Sequence, residues 1–131
     1  MAGCRDEPKR VVSRNAARDA AREALSSQTH HRVAAWARSE RLPKRALPGA
    51  RLFAVAGCTQ CHTYVGVGTP NLGAPDLSEV GLGLHHRRRY LERYVAHPAR
   101  FGNDVMPPFA VLGARKLRQV AIFLSSSKGA G

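Results

Sequence analysis

Aromatic residues are scarce in this sequence, and so are cysteine, methionine and acidic residues. Of the 131 residues, 6% are aromatic, three are cysteine, two are methionine and 9 are aspartate or glutamate. Large aromatic side chains dominate core energetics, so the core that the protein chain alone can form is thin. The length allows one domain plus an extension of a few dozen residues.

Alternating patterns of apolar and polar residues, which indicate half-buried strands, are also scarce. Apolar residues instead recur at helical spacing. One such stripe consists of Gly49, Leu52, Phe53 and Ala56, and another, after Gly113, consists of Leu117, Val120, Ala121 and Leu124. The fold class that these patterns predict is all-α.

Acidic residues are too few to balance the basic ones. The 21 Lys and Arg residues against 9 Asp and Glu give a formal net charge of +12. Such a charge suits nucleic acid, an anionic membrane surface or an acidic docking face on a protein. Nucleic-acid binding favours a recognition motif or basic residues interleaved with aromatics, and neither is present. We therefore expect no nucleic-acid partner and electrostatic steering towards an acidic protein.

Two of the three cysteines fall in the motif Cys58-Thr59-Gln60-Cys61-His62. This order of thiols and imidazole is typical of covalent haem attachment, in which the thiols bond to the porphyrin and His62 binds the iron. A structural zinc site would need two further ligands at short spacing; the remaining cysteine, Cys4, is distant and has no histidine beside it. A thioredoxin-like redox pair would need a strand leading into the motif, and none is apparent. The prediction is one haem c per chain, whose buried ring adds apolar volume to the core.

A six-coordinate haem iron needs a second axial ligand, usually a thioether or another imidazole. Met106 is the one methionine besides the initiator, and it lies in the Pro-rich segment Asn103-Asp104-Val105-Met106-Pro107-Pro108-Phe109. A core role would be ordinary for methionine, but beside a haem motif we predict that Met106 binds iron. The rival ligands are His85, His86 and His97.

The segment from about Pro48 to Gly129 resembles class I monohaem cytochrome c in its bacterial form. The resemblance rests on four pieces in order: Gly49–Phe53 running into Gly57–His62, Ala74-Pro75-Asp76-Leu77, Met106-Pro107-Pro108-Phe109, and the stripe of residues 117–124. It implies three to five short helices wrapped round a covalently bound haem, with Gly49 and the aromatic pair Phe53 and Phe123 where the first and last helices cross.

The resemblance also implies how the iron ligands are held. The carbonyl of Pro75 would accept a hydrogen bond from Nδ1 of His62, and the side-chain amide of Asn103 would bond the Met106 sulfur or a haem propionate. With His62 and Met106 both bound, the iron has no open position, so the implied role is electron transfer rather than catalysis.

The implied partners are a quinol-oxidising donor complex and a terminal-oxidase-type acceptor, with acidic docking faces. The protein would be a mobile carrier or a fixed subunit. The alternative is a haem-based sensor or haem enzyme whose sixth iron position is open.

Residues 1–47 lie outside the resemblance and are expected to form a basic, partly helical extension, with residues 48–131 as the haem domain. Helical stretches are predicted at residues 16–25 and 31–41, followed by a linker containing Pro43 and Pro48. Trp36 is the residue best suited to anchor the extension on the haem domain.

Haem c is attached outside the cytoplasmic membrane in bacteria, yet no hydrophobic signal segment precedes the motif. Met1-Ala2-Gly3-Cys4 resembles the lipobox at which bacterial lipoproteins are cleaved and acylated. Two interpretations stay open: Cys4 is a lipid-anchored first mature residue, or it is an ordinary free cysteine. The expected location is the periplasmic or cell-surface side of the membrane, with membrane association in the first case.

Overall fold

The structure, a computed structural model, describes the backbone of residues 2–129 and the side chains of residues 14–129. Four α-helices make up most of it: α1 Ala2–Glu40, α2 Leu47–Val55, α3 Arg88–Ala96 and α4 Ala114–Ser125. Short 3-10 turns join them, and a two-residue hairpin pairs β1 Thr63–Tyr64 with β2 Val67–Gly68 in antiparallel register. The all-α prediction is confirmed. The side chain of Cys4 lies outside the described residues.

Helices α2 and α4 cross in close contact at Gly49. A methyl group at Gly49 would overlap the backbone carbonyl oxygen of Gln119 and come within 2.8 Å of the Phe123 Cβ. Beside this point the rings of Phe53 and Phe123 pack with centroids 5.2 Å apart. The crossing predicted from the sequence is therefore present, and a glycine permits it because only hydrogen fits between the two backbones.

An aromatic cluster surrounds Trp36, which is 1% exposed. The Trp36 ring lies 4.9 Å from Tyr64, 5.8 Å from Phe53 and 6.2 Å from Phe123 between centroids. The Ser127 hydroxyl donates to the carbonyl of Phe123 at 2.9 Å, so it accepts from the Tyr64 hydroxyl at 2.7 Å. Half of the few large rings are thus gathered in one place, and burial of each contributes about 1.5–3 kcal/mol.

Helix α1 is one continuous helix, whereas the sequence predicted two separate helical stretches. Residues 26–30, except Gln28, are weak helix formers but include no proline or glycine, so nothing interrupts the backbone hydrogen bonds. Residues 14–28 are exposed, and the buried face begins at Val33 and continues through Trp36 and Glu40, at spacings of three and four residues. The end of α1 therefore shares a core with α2 and α4, while the division of the chain at residue 47 stays a prediction.

The buried face of α1 ends in an acid. Glu40 is 4% exposed, and neither carboxylate oxygen has a hydrogen-bond partner among the described residues. Burial raises the pKa of Glu40. The Gly129 backbone lowers this pKa by a smaller amount, and the negative charges of Asp76 and Glu79 raise it further. The ionised form of Glu40 is therefore less stable at the end of α1 than it would be in water.

Candidate haem-binding site

A cavity of about 280 Å3 lies between α2, α3, α4 and two loops. Apolar side chains form most of its wall: Phe53, Leu77, Val80, Leu91, Val95, Val120 and Leu124. Cys58, His62, Pro75, Asn103 and Met106 also line it. A largely apolar cavity with a few convergent polar groups is the usual form of a cofactor site.

The turn after α2 determines how the two cysteines are presented. Gly57 has a φ of +86° and ends α2, and the next residues form the 3-10 turn Cys58–Gln60. The backbone N–H of His62 donates to the carbonyl of Cys58 at 2.9 Å, so the turn brings both residues to the cavity. Cys61 is exposed and is not part of the cavity wall. Of the six sequence-predicted site residues, the structure therefore brings five together in one cavity.

The hairpin that follows packs against the same turn. Gly68 has a φ of +116°, and a Cβ on it would overlap the carbonyl of His62. The backbone N–H of Thr69 donates to the carbonyl of Thr59 at 3.0 Å. Both features hold the motif in a fixed shape.

The two thiols differ in their surroundings. Burial raises the pKa of the Cys58 thiol to about 11, with a smaller opposing effect from a backbone hydrogen bond. Both cysteines are free rather than paired in a disulfide.

His62 is oriented by a hydrogen bond to the loop that contains Pro75. The Nδ1 atom lies 2.8 Å from the Pro75 carbonyl oxygen. A carbonyl can only accept a hydrogen bond, so Nδ1 carries a proton; in the neutral ring the lone pair is then on Nε2. Imidazole in this tautomer is the form that binds a metal through Nε2, and the hydrogen bond strengthens it as a donor.

The loop that holds Pro75 is itself fixed by Asp76. The Asp76 carboxylate accepts hydrogen bonds from the Thr63 hydroxyl at 2.6 Å and from the Ser78 backbone N–H at 2.9 Å. The Leu77 backbone N–H donates to the Thr63 carbonyl at 2.9 Å. Burial would raise the pKa of Asp76, but the hydrogen bonds from Thr63 and Ser78 outweigh it and lower the pKa. The loop is thus tied to the strand that follows His62.

On the other side of the cavity, Asn103 holds the loop that carries Met106. Its side-chain oxygen accepts the backbone N–H groups of Val105 and Met106, each at 3.0 Å. Its side-chain nitrogen donates to the hydroxyl of Tyr94 on α3 at 2.8 Å. The Phe109 backbone N–H also donates to the Val95 carbonyl at 3.1 Å. The position of Met106 therefore depends on α3.

The three rival histidines are separated by the fold. His85 lines the cavity and its ring stacks on Tyr90 at 4.2 Å between centroids. His86 is exposed, and its Nδ1 lies 3.0 Å from the Gly83 carbonyl. His97 directly follows α3 and lines a different groove, outside the cavity. Only His85 can compete with Met106 from within the cavity.

The residues of this cavity fit a haem. An imidazole nitrogen from His62 and a thioether sulfur from Met106 come from two different loops that border one cavity. These are the donor types found at six-coordinate haem iron, and the remaining wall suits an apolar ring. Among the described side chains, no three His, Cys, Asp or Glu residues lie close enough together to hold a bare metal ion.

The helical fold, the Cys58-x-x-Cys61-His62 turn and the cavity define a c-type cytochrome domain. The model of the family described as cytochrome C oxidase, cbb3-type, subunit III matches residues 44–124, well over half of the chain. The chain belongs to this family. No curated protein and no solved structure gave a significant match.

Membership of this family has four implications for the chain. It implies a covalently bound haem c, a role in electron transfer, partners within a respiratory oxidase complex and a typically extracytoplasmic location. Within residues 2–129, no helix combines the length and the apolar character that crossing a membrane requires.

Two residues of the site were not singled out by the sequence analysis. Asp76 was quoted only as part of a motif, although a carboxylate directly after Pro75 can accept nearby N–H and O–H groups. Tyr94 belongs to none of the motifs described from the sequence. Its pairing with Asn103 depends on how α3 and the loop pack, which the spacing of residues does not reveal.

Proposed function

We propose that this chain is an electron-relay subunit of a respiratory oxidase complex, with haem c tethered through Cys58 and Cys61 and ligated by His62 and Met106. The observation that carries the proposal is that His62 and Met106, from separate loops, line one apolar cavity. When bound, haem c supplies a one-electron couple at its iron.

The residues around the haem would set the reduction potential of its iron. The Pro75 carbonyl, by holding the proton on Nδ1, makes His62 a stronger donor through Nε2. A thioether favours ferrous iron, so Met106 would raise the reduction potential. Apolar walls keep water from the site, which limits the reorganisation that accompanies a change of charge.

The family and the net charge support a pathway as part of this proposal. A quinol-oxidising complex would be the donor and a terminal oxidase the acceptor, and the acidic docking faces of such partners would match the net charge of +12. The location would be the periplasmic or cell-surface side of the cytoplasmic membrane. Lipidation of Cys4 remains part of this proposal, and metabolic labelling of the wild type and Cys4→Ser with a palmitate analogue tests it.

The test of ligation is an optical spectrum of the protein made in a host with an active cytochrome c maturation system. The oxidised protein should show the weak red charge-transfer band of methionine-to-iron ligation, and Met106→Ala should abolish it. Because axial ligands span about 0.8 V of potential, loss of the thioether should lower the potential by roughly a few tenths of a volt. His85→Ala, from the same cavity, is the control and should keep the band.

The opposite result would point to the alternative function. If the wild type lacks the band and its reduced form binds carbon monoxide, the sixth position is open and the protein is a sensor or enzyme. If the wild type lacks the band and binds no carbon monoxide, but reduced His85→Ala does bind it, His85 rather than Met106 is the ligand and the assignment is wrong.

A further inference from the structure

The positive charge of the haem region is concentrated in one segment. Residues 51–86 contain one basic and two acidic residues, whereas residues 87–118 contain eight basic and two acidic residues. The second segment includes α3 and the first part of α4. The molecule therefore has a strongly basic side formed by these two helices.

That side contains a groove of about 780 Å3 between α3 and α4. Five arginines line it: Arg88, Arg89, Arg93, Arg100 and Arg118. Arg88 is paired with Glu92 at 3.0 Å, the one ion pair among the side chains of residues 14–129. The other four arginines are exposed and have no acidic partner in that part of the chain. Their guanidinium groups are available to an external anion.

The groove and the haem cavity lie on different faces of α3. Tyr90, Leu91, Tyr94 and Val95 face the cavity, while Arg88, Arg89, Arg93 and Ala96 face the groove. An occupant of the groove would therefore leave the cavity accessible. The floor is apolar in part, since the buried side chains of Ala96 and Leu117 lie in it.

From this arrangement we propose that the groove binds an acidic segment of a partner protein. Guanidinium groups pair with carboxylates through two parallel hydrogen bonds, and Arg89 and Arg93 are one helical turn apart, about 5–6 Å at Cβ. A concave groove with arginines on both walls and an apolar floor fits a chain with carboxylates and apolar side chains. A flat bilayer surface would reach only the rim. The inference does not depend on which residues ligate the iron.

Fluorescence anisotropy with the haem-loaded protein and a labelled oligoglutamate peptide tests the proposal, at an ionic strength of about 0.15 M. Arg93→Gln combined with Arg118→Gln removes one arginine from each wall and should weaken binding about five- to tenfold. The control, Arg18→Gln with Arg22→Gln, removes the same charge from exposed positions of α1 and should weaken it less than about twofold. If the first pair reduces the yield of folded protein, Arg89→Gln with Arg100→Gln takes its place.

Three outcomes would overturn the proposal. Equal weakening by the groove and control variants would mean that net charge alone attracts the peptide. Unchanged binding by the groove variant would mean that the peptide binds elsewhere. Binding of phosphatidylglycerol vesicles that is lost in the groove variant, while peptide binding is kept, would assign the arginines to a membrane surface.

Discussion

The two loops that border the cavity are held in different ways. The His62 side depends on residues that are close in sequence: the motif itself, the hairpin, and Asp76 beside Pro75. The Met106 side depends on Asn103 and its hydrogen bond to Tyr94 on α3. One side would also be joined to the cofactor by covalent bonds, the other by a single coordinate bond. Damage to the fold should therefore release Met106 before His62.

The largest effect should come from removing the covalent tether. Cys58→Ser combined with Cys61→Ser leaves both axial ligands but no thiol to bond to the porphyrin. We expect no haem on the denatured chain, measured by haem staining after denaturing electrophoresis and by the pyridine haemochrome spectrum. Cys4→Ser is the matched control and should retain full covalent haem; loss of haem in the control would contradict the assignment.

The second effect should come from Asn103→Ala, which acts on the Met106 side alone. Two backbone N–H groups and the Tyr94 hydroxyl lose their hydrogen-bond partner, which should lower the free energy of unfolding by about 1–3 kcal/mol. The red charge-transfer band should disappear at a lower temperature than in the wild type, while the haemochrome spectrum is unchanged. Tyr94→Phe removes one of these three hydrogen bonds and should have roughly a third of the effect.

Asn15→Ala, at an exposed position of α1, is the control for that experiment and should leave the band unaffected. If Asn103→Ala also leaves it unaffected, the hydrogen bonds of Asn103 do not hold the ligand. A loss of covalent haem in Asn103→Ala would show that the two sides are not independent.

The same difference explains what could be predicted from the sequence. The motif at Cys58 and the buried stripe of α4 follow from spacings within a few residues, whereas the close crossing at Gly49 was implied by the resemblance to cytochrome c; the structure contains both the stripe and the crossing. The partner of Asn103 could not be predicted, because the pairing with Tyr94 is made only when α3 packs against the loop. The continuity of α1 was missed because residues 26–30, except Gln28, have weak helix propensity, although nothing in them stops a helix.

The two sides of the cavity should also differ in how their stability depends on pH, because Asp76 titrates and Asn103 does not. This effect should be smaller than those above. The pKa of Asp76 is lowered in the folded state, so its stabilisation is present above its ordinary value of about 3.9 and is lost as pH falls through the lowered value. Asp76→Asn should reduce the melting temperature at neutral pH, by less than Asn103→Ala does, since Asp76 is exposed. The difference in melting temperature between Asp76→Asn and the wild type should shrink in acid. The difference between Asn103→Ala and the wild type should not change with pH.

Glu40 should respond to pH in the opposite direction and would obscure that measurement. Its pKa is raised by burial, so stability is greatest when it is protonated and falls as pH rises through the raised value. Glu40→Gln should therefore raise the melting temperature at neutral pH, by a few degrees at most, and have no effect at a pH below about 4. Glu23→Gln, exposed on α1, is the control. In the Glu40→Gln background, the melting temperature should still fall in acid, and adding Asp76→Asn should remove that fall. If the fall persists, another titratable group stabilises the loop beside His62.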